Sequence, residues 1–149
     1  LYRHIEWPIV IMLAAMIPIG QALESTGITA QIASGVVSFA GDFHVFWILM
    51  IILIITMLIT DVINNAATAV IMAPFSVNIA LQLGHPLEPF LMVVAVGASC
   101  AFLTPIGHQC NTLVMGPGNY KFSDYWRLGF PLDILIVIAS IPMILFVWL

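Results

Sequence analysis

The sequence predicts an all-α integral membrane protein whose apolar helices are interrupted within the membrane, and three observations predict it. Hydrophobic residues make up 62% of the chain and charged residues 7%, with a mean hydropathy of +1.16, outside the range of soluble domains. The apolar residues fall in runs close to the roughly 20 that a bilayer core requires. Two polar stretches nevertheless stand inside such runs, Thr60-Asp61-Val62-Ile63-Asn64-Asn65-Ala66-Ala67-Thr68 and Thr104-Pro105-Ile106-Gly107-His108-Gln109-Cys110-Asn111. Burying an amide with no hydrogen-bond partner costs roughly 2–7 kcal/mol in an apolar medium. Each stretch must therefore bind something or pack against something, and we read the two as halves of one site.

Composition also excludes. The net charge of -4 rests on few ionisable groups, and no basic cluster marks a nucleic-acid partner. Cys100 and Cys110 lack metal-ligand spacing and read as small buried residues without a disulfide. His-Glu-x-x-His, Gly-x-Ser-x-Gly and an aspartate pair spaced for intramembrane proteolysis are all missing from the sequence, so it does not read as an enzyme. Leu1 is followed by Tyr2, Arg3 and His4, neither a start methionine nor a signal layout, and the chain is expected to be a piece of a longer protein.

Taken in order, residues 7–23 form the first expected span, bent by Pro18 and Gly20. A polar turn at Glu24-Ser25-Thr26-Gly27 precedes a short helix over 29–40, too small to cross. The most apolar piece is 43–59, and 67–83 resembles it in length, with Pro74 and Asn78 as irregularities. Gly84-His85-Pro86-Leu87-Glu88-Pro89 reads as a surface loop. An apolar run from Phe90 stops at Pro105, the expected cause of the second break, and Gly116-Pro117-Gly118-Asn119 turns the chain. Tyr120, Lys121, Phe122, Tyr125, Trp126 and Arg127 suit an interfacial belt, with Ser123 as a helix N-cap. The last span covers 128–149, with a kink expected at Pro142.

If Arg3, Lys121 and Arg127 all stay on the cytoplasmic side, an even number of crossings separates Arg3 from Lys121. Four spans satisfy that parity, and so do two spans with 43–83 folded as a re-entrant helical hairpin; the charges do not choose. The connection around Asn64 and Asn65 has no glycine or proline and is flanked by Ile63, Ala66 and Ala67, which favours a buried tip over a loop in water. The expected architecture is a hairpin over 43–83 and a discontinuous helix over 90–118.

A helix broken inside a membrane leaves unpaired carbonyls before the break and unpaired N–H groups after it. Carbonyl ends favour a small cation and N–H ends an anion, the arrangement by which broken helices of secondary transporters hold ion and substrate together. Asn65 and Asn111 can offer amide oxygen to a cation and N–H to an anion. Asp61 either orients the tip or caps a helix, or is itself a ligand of the cation. His108 either contacts substrate or satisfies backbone groups. Asp133 and the eight methionines read as structural.

The first motif, together with Phe102-Leu103-Thr104-Pro105-Ile106-Gly107, Gln109, Asn111, Val114, Gly116-Pro117-Gly118, Tyr120, Phe122, Asp124-Tyr125, Arg127 and Gly129, resembles the C-terminal half of the divalent-anion:sodium symporter family. The branch it is most similar to comprises bacterial sulfate or citrate permeases. The resemblance implies one inverted-repeat half of a secondary transporter, completed by a missing N-terminal half and assembled as a homodimer in a bilayer, here the bacterial inner membrane. It implies sodium as coupling ion, held by Thr60, the Ile63 carbonyl, Asn65 and the Gly107 carbonyl, with no other cofactor. It places the substrate on Asn65, Ala66, His108 and Gln109, and Asn111 joins these from the chemistry above. In that family the hairpin tip reads Ser-Asn-Thr; here Asn64, Asn65 and Ala66 stand in its place. Ala66 lacks the hydroxyl that meets a carboxylate, and His108 with Gln109 replaces Thr-Pro of the dicarboxylate branch, which moves the expected anion from a di- or tricarboxylate such as citrate toward sulfate. The alternatives are a sodium/proton or arsenite-type carrier of the same superfamily, and a non-transporting accessory membrane subunit.

Overall fold

The computed structural model describes residues 44–149 continuously, together with Ile11, Ala14, Ala15, Pro18, Ala22, Ser25, Thr26, Gly27, Gln31, Ser34 and Gly35. The first expected span and the short helix after it otherwise lie outside the described residues. From His44 onward the fold is all-helical: α1 (Val45–Thr60), α2 (Asn65–Leu83), α3 (Leu87–Ser99), α4 (Gln109–Met115) and α5 (Phe122–Trp148).

Helix lengths follow from where the chain supplies caps. His44 opens α1 by accepting the Phe46 N–H on Nδ1 at 3.3 Å, and Asn64 opens α2 by accepting the Ala67 N–H at 2.8 Å. Gly84, at φ 68, closes α2 in the left-handed conformation that glycine tolerates, and the His85 N–H reaches back to the Ala80 carbonyl. At 1.5 Å per residue, α1 is about 24 Å long and α3 about 20 Å, short of the ~30 Å hydrocarbon core, while α2 and α5 reach about 28 and 40 Å. Among the described residues, α2 and α5 are the helices long and apolar enough to cross a membrane.

Both α1 and α2 pack chiefly on α3, and α5 closes over α1 and α3. The core joins Leu49, Ile52 and Leu53 of α1 to Ile79 of α2, Phe90 and Val93 of α3, and Ile141 of α5. Because α1 is apolar on every side, hydrophobicity alone does not choose its inner face. The buried stripe ends instead in Thr56, Met57 and Thr60, where a small residue opposite lets two backbones approach. Gly97 of α3 is that residue: a Cβ there would lie 2.8 Å from Thr56 Cβ and 3.2 Å from the Leu53 carbonyl. Ser76 of α2 makes the matching link, donating to the Phe90 carbonyl at 2.9 Å in a fully buried contact.

Several element ends differ from the sequence reading. The expected loop over 84–89 ends early, because α3 begins at Leu87 with Glu88 in its first turn and Pro89 buried; the first turn tolerates proline and favours an acid. Helix α3 ends at Ser99, well before Pro105, so the proline is not what breaks it. Cys100 instead turns its N–H back to the Gly97 carbonyl. Helix α5 starts at Phe122, which puts Ser123 in the first turn; the N-cap is Lys121, whose N–H is taken by Asp124 Oδ2 at 2.8 Å. Cys100 is buried as expected but Cys110 is exposed, since α4 carries no buried residue. Tyr125, assigned to an interfacial belt, turns inward and donates to the Asn111 carbonyl at 2.6 Å.

Replacing Gly97 by valine is expected to force α1 and α3 apart and lower stability by about 1–3 kcal/mol, the usual cost of overpacking. Thermal unfolding of the purified protein in detergent measures it.

Candidate functional site

Two interruptions in the helices define the site. The first is the turn over residues 61–64 between α1 and α2, and the second is the non-helical stretch over 100–108 between α3 and α4. Asp61 stitches them together. Its Oδ1 accepts the Leu103 N–H at 3.0 Å, and its carbonyl accepts the Thr104 hydroxyl at 2.5 Å. Thr104 Oγ1 in turn accepts the N–H groups of Ile106 and Gly107, each at 3.2 Å. Backbone donors stranded by the second break are thus met by the first break and by a side chain within the second.

Gly107 completes the approach. A Cβ on it would lie 2.8 Å from the Thr60 carbonyl and 3.0 Å from Asp61 Cα, so any larger residue would push the breaks apart. Asn64, Asn65 and Ala66 from the first break then share one cavity of about 210 Å³ with Gly107, His108 and Gln109 from the second. The expected substrate residues Asn65, Ala66, His108 and Gln109 therefore meet at one place. Asn111 does not join them. Its Nδ2 donates to the carbonyls of Ala101 and Thr104 at 2.7 and 3.1 Å, which spends both amide hydrogens on the backbone of the break, and it lines a different cavity with Tyr120 and Tyr125. His108 caps α4, accepting the Cys110 N–H on Nδ1 at 3.1 Å, while the ring stays exposed.

The residues expected to hold sodium fall beside this cavity. Thr60 Oγ1, fully buried, lies 3.1 Å from the Ala98 carbonyl and 3.3 Å from Asn65 Oδ1. A hydroxyl carries one hydrogen, so the Asn65 and Ala98 oxygens share a single donor. The Ala98 carbonyl belongs to the last turn of α3, where no intrahelical N–H remains to pair with it. Ile63 is carried on the turn at the hairpin tip. A hydroxyl, an amide and a peptide carbonyl are neutral oxygens, and among the described residues no group of three or more His, Cys, Asp or Glu is placed to hold a metal ion.

Sequence reasoning missed Thr104 and the Ala98 carbonyl. A polar residue directly before Pro105 in an apolar run was a usable signal for the threonine; a backbone carbonyl gave none. Three fully enclosed polar atoms, Asp61 Oδ2, Thr68 Oγ1 and Asp133 Oδ1, have no partner among the described residues.

Helices that stop and restart around a shared cavity are the arrangement that broken-helix secondary transporters use. The comparisons agree, since the profile of the CitMHS citrate transporter family matches residues 1–149; the chain belongs to this family. It is 40% identical over 143 residues to Uncharacterized transporter YfbS of Escherichia coli, covering 96% of this chain and 23% of that protein. It is 36% identical over 148 residues to Uncharacterized transporter sll0640 of Synechocystis, covering 99% and 24%. Similarity extends to Sodium/sulfate cotransporter 2 of Chlamydomonas reinhardtii, at 29% over 139 residues, 93% of this chain and 16% of the cotransporter. The chain thus spans about a quarter of the length of the two bacterial relatives. This is a transporter family and not an enzyme family.

Asp61→Leu is expected to strand the Leu103 N–H and cost about 1–3 kcal/mol. Asp61→Asn keeps an acceptor at the same position and should retain most of that stability, a difference readable in parallel thermal melts.

Proposed function

We propose that the chain supplies one half of the binding site of a sodium-coupled anion symporter. In this reading α1 and α2 form a re-entrant hairpin, α3 and α4 form a discontinuous helix, and the two meet within the membrane. The observation that carries it is the oxygen set of Thr60, Asn65 and Ala98, in which two acceptors compete for the one hydroxyl hydrogen. A small hard cation relieves such crowding by taking the lone pairs that no donor reaches, as unwound carbonyls do in broken-helix transporters. Sodium would be held by Thr60, the carbonyls of Ile63 and Gly107, and Asn65.

The anion would sit in the adjoining cavity against Asn65, Ala66, His108 and Gln109. The N–H groups of Asn65 and Ala66 stand at the start of α2 with no helical carbonyl to pair with, which suits negative charge. Among the described residues no lysine or arginine lines this cavity, so attraction would come from amides, from His108 and from the cation beside it. A compact tetrahedral anion fits this better than a long tricarboxylate. The Chlamydomonas relatives named as sodium/sulfate cotransporters support sulfate, and the family description supports citrate. The other half of the site would come from the rest of a longer protein that works as a homodimer in the cell membrane.

Removing one ligand to a charged group costs about 1.5–3 kcal/mol, or roughly 10- to 150-fold in affinity. Asn65→Ala in the full-length carrier is expected to weaken sodium-stimulated sulfate uptake into proteoliposomes by that factor while membrane insertion is retained. Uptake that keeps its full sodium stimulation in this variant would end the proposal, and citrate run beside sulfate identifies the anion.

A further inference from the structure

The second break is held from a side that the site itself does not use. Gly129 lies on the inner face of α5 with Asp133, Ile141 and Ile144, and it meets the backbone of the break directly. A Cβ there would overlap the Phe102 carbonyl oxygen and lie 2.6 Å from its carbon and 3.0 Å from the Leu103 nitrogen. Backbone atoms cannot swing aside as the end of a side chain can, so any larger residue must move the segment or the helix. One turn earlier on the same face, Tyr125 donates its hydroxyl to the Asn111 carbonyl at 2.6 Å. Helix α5 therefore touches the chain on both sides of Gly107 and His108, at 102–103 in the break and at Asn111 in α4.

We propose that Tyr125 and Gly129 are positioning residues, a two-point grip by which α5 sets where the second break presents Gly107, His108 and Gln109 to sodium and anion. The route is short. Gly129 seats Phe102 and Leu103; the Leu103 N–H is bonded to Asp61, and Thr104 holds both the Asp61 carbonyl and the Gly107 N–H. A shift at Gly129 reaches the Gly107 carbonyl through backbone joined by three hydrogen bonds. The inference rests on the site described under Proposed function, and the test separates the two.

The experiment uses the full-length carrier in proteoliposomes, with sulfate uptake recorded against sodium concentration for Gly129→Ala, Tyr125→Phe, Gly116→Ala and Asn65→Ala. Misplacing a ligand by about 1 Å is worth up to ~100-fold, so Gly129→Ala is expected to raise the sodium half-saturation about ten- to hundredfold. Tyr125→Phe, which removes only the hydroxyl, should raise it several-fold at an unchanged maximal rate per folded carrier. Gly116→Ala, whose Cβ would meet open space, should behave as the unmodified protein. A purely structural role would lower the amount of folded carrier and the maximal rate at constant half-saturation, and that result overturns the grip. If Gly129→Ala does not fold, Tyr125→Phe decides alone: a half-saturation within about twofold of the unmodified carrier overturns the proposal. Loss of sodium stimulation in Asn65→Ala with normal behaviour of both α5 variants refutes the grip and leaves the site; intact stimulation in Asn65→Ala refutes the site.

Discussion

Two segments that leave their helices in apolar sequence have to find partners for their own N–H and C=O groups, and two of the bonds that do so join the segments to each other. Asp61 is the centre of that exchange, with its carboxylate on the Leu103 N–H and its carbonyl under the Thr104 hydroxyl. Without such pairing, each stranded group would carry its full desolvation cost. The same pairing keeps the hairpin tip and the second break at one level, which is what allows Asn65 and Gly107 to border one cavity.

Close backbone approach is the second requirement, and glycines meet it. Gly97 lets α1 settle on α3, Gly107 lets the breaks touch, and Gly129 lets α5 reach the break. Around a fold that is apolar inside and out, these contacts and a few buried hydroxyls, such as Ser76 on the Phe90 carbonyl, supply the specificity that hydrophobic burial supplies in water.

Much of this was legible in the sequence because polar residues in apolar runs are expensive and so mark where helices stop. The turn at Asn64 between two apolar helices and the meeting of the two polar stretches could be read that way; Gly107, His108 and Gln109 as the residues opposite Asn65 came from the family resemblance, and the second break, expected over 104–111, lies over 100–108. Helix ends were harder. Pro105 looked like the stop for α3, yet the chain leaves the helix at Cys100, and the Leu103 N–H goes to a carboxylate more than forty residues distant. Asn111 looked like a ligand by residue type, but its amide is spent on two carbonyls that only the folded backbone brings within reach. Tyr125 looked interfacial by its neighbours, while its partner lies on another helix.

The two cysteines end up in contrasting places, one sealed behind the break and one in the open on α4, a single residue past Gln109 at the cavity rim. A polar maleimide would meet Cys110 and pass over Cys100. The chain thus carries an exposed native thiol one residue along from the cavity lining, open to labelling without any engineered cysteine.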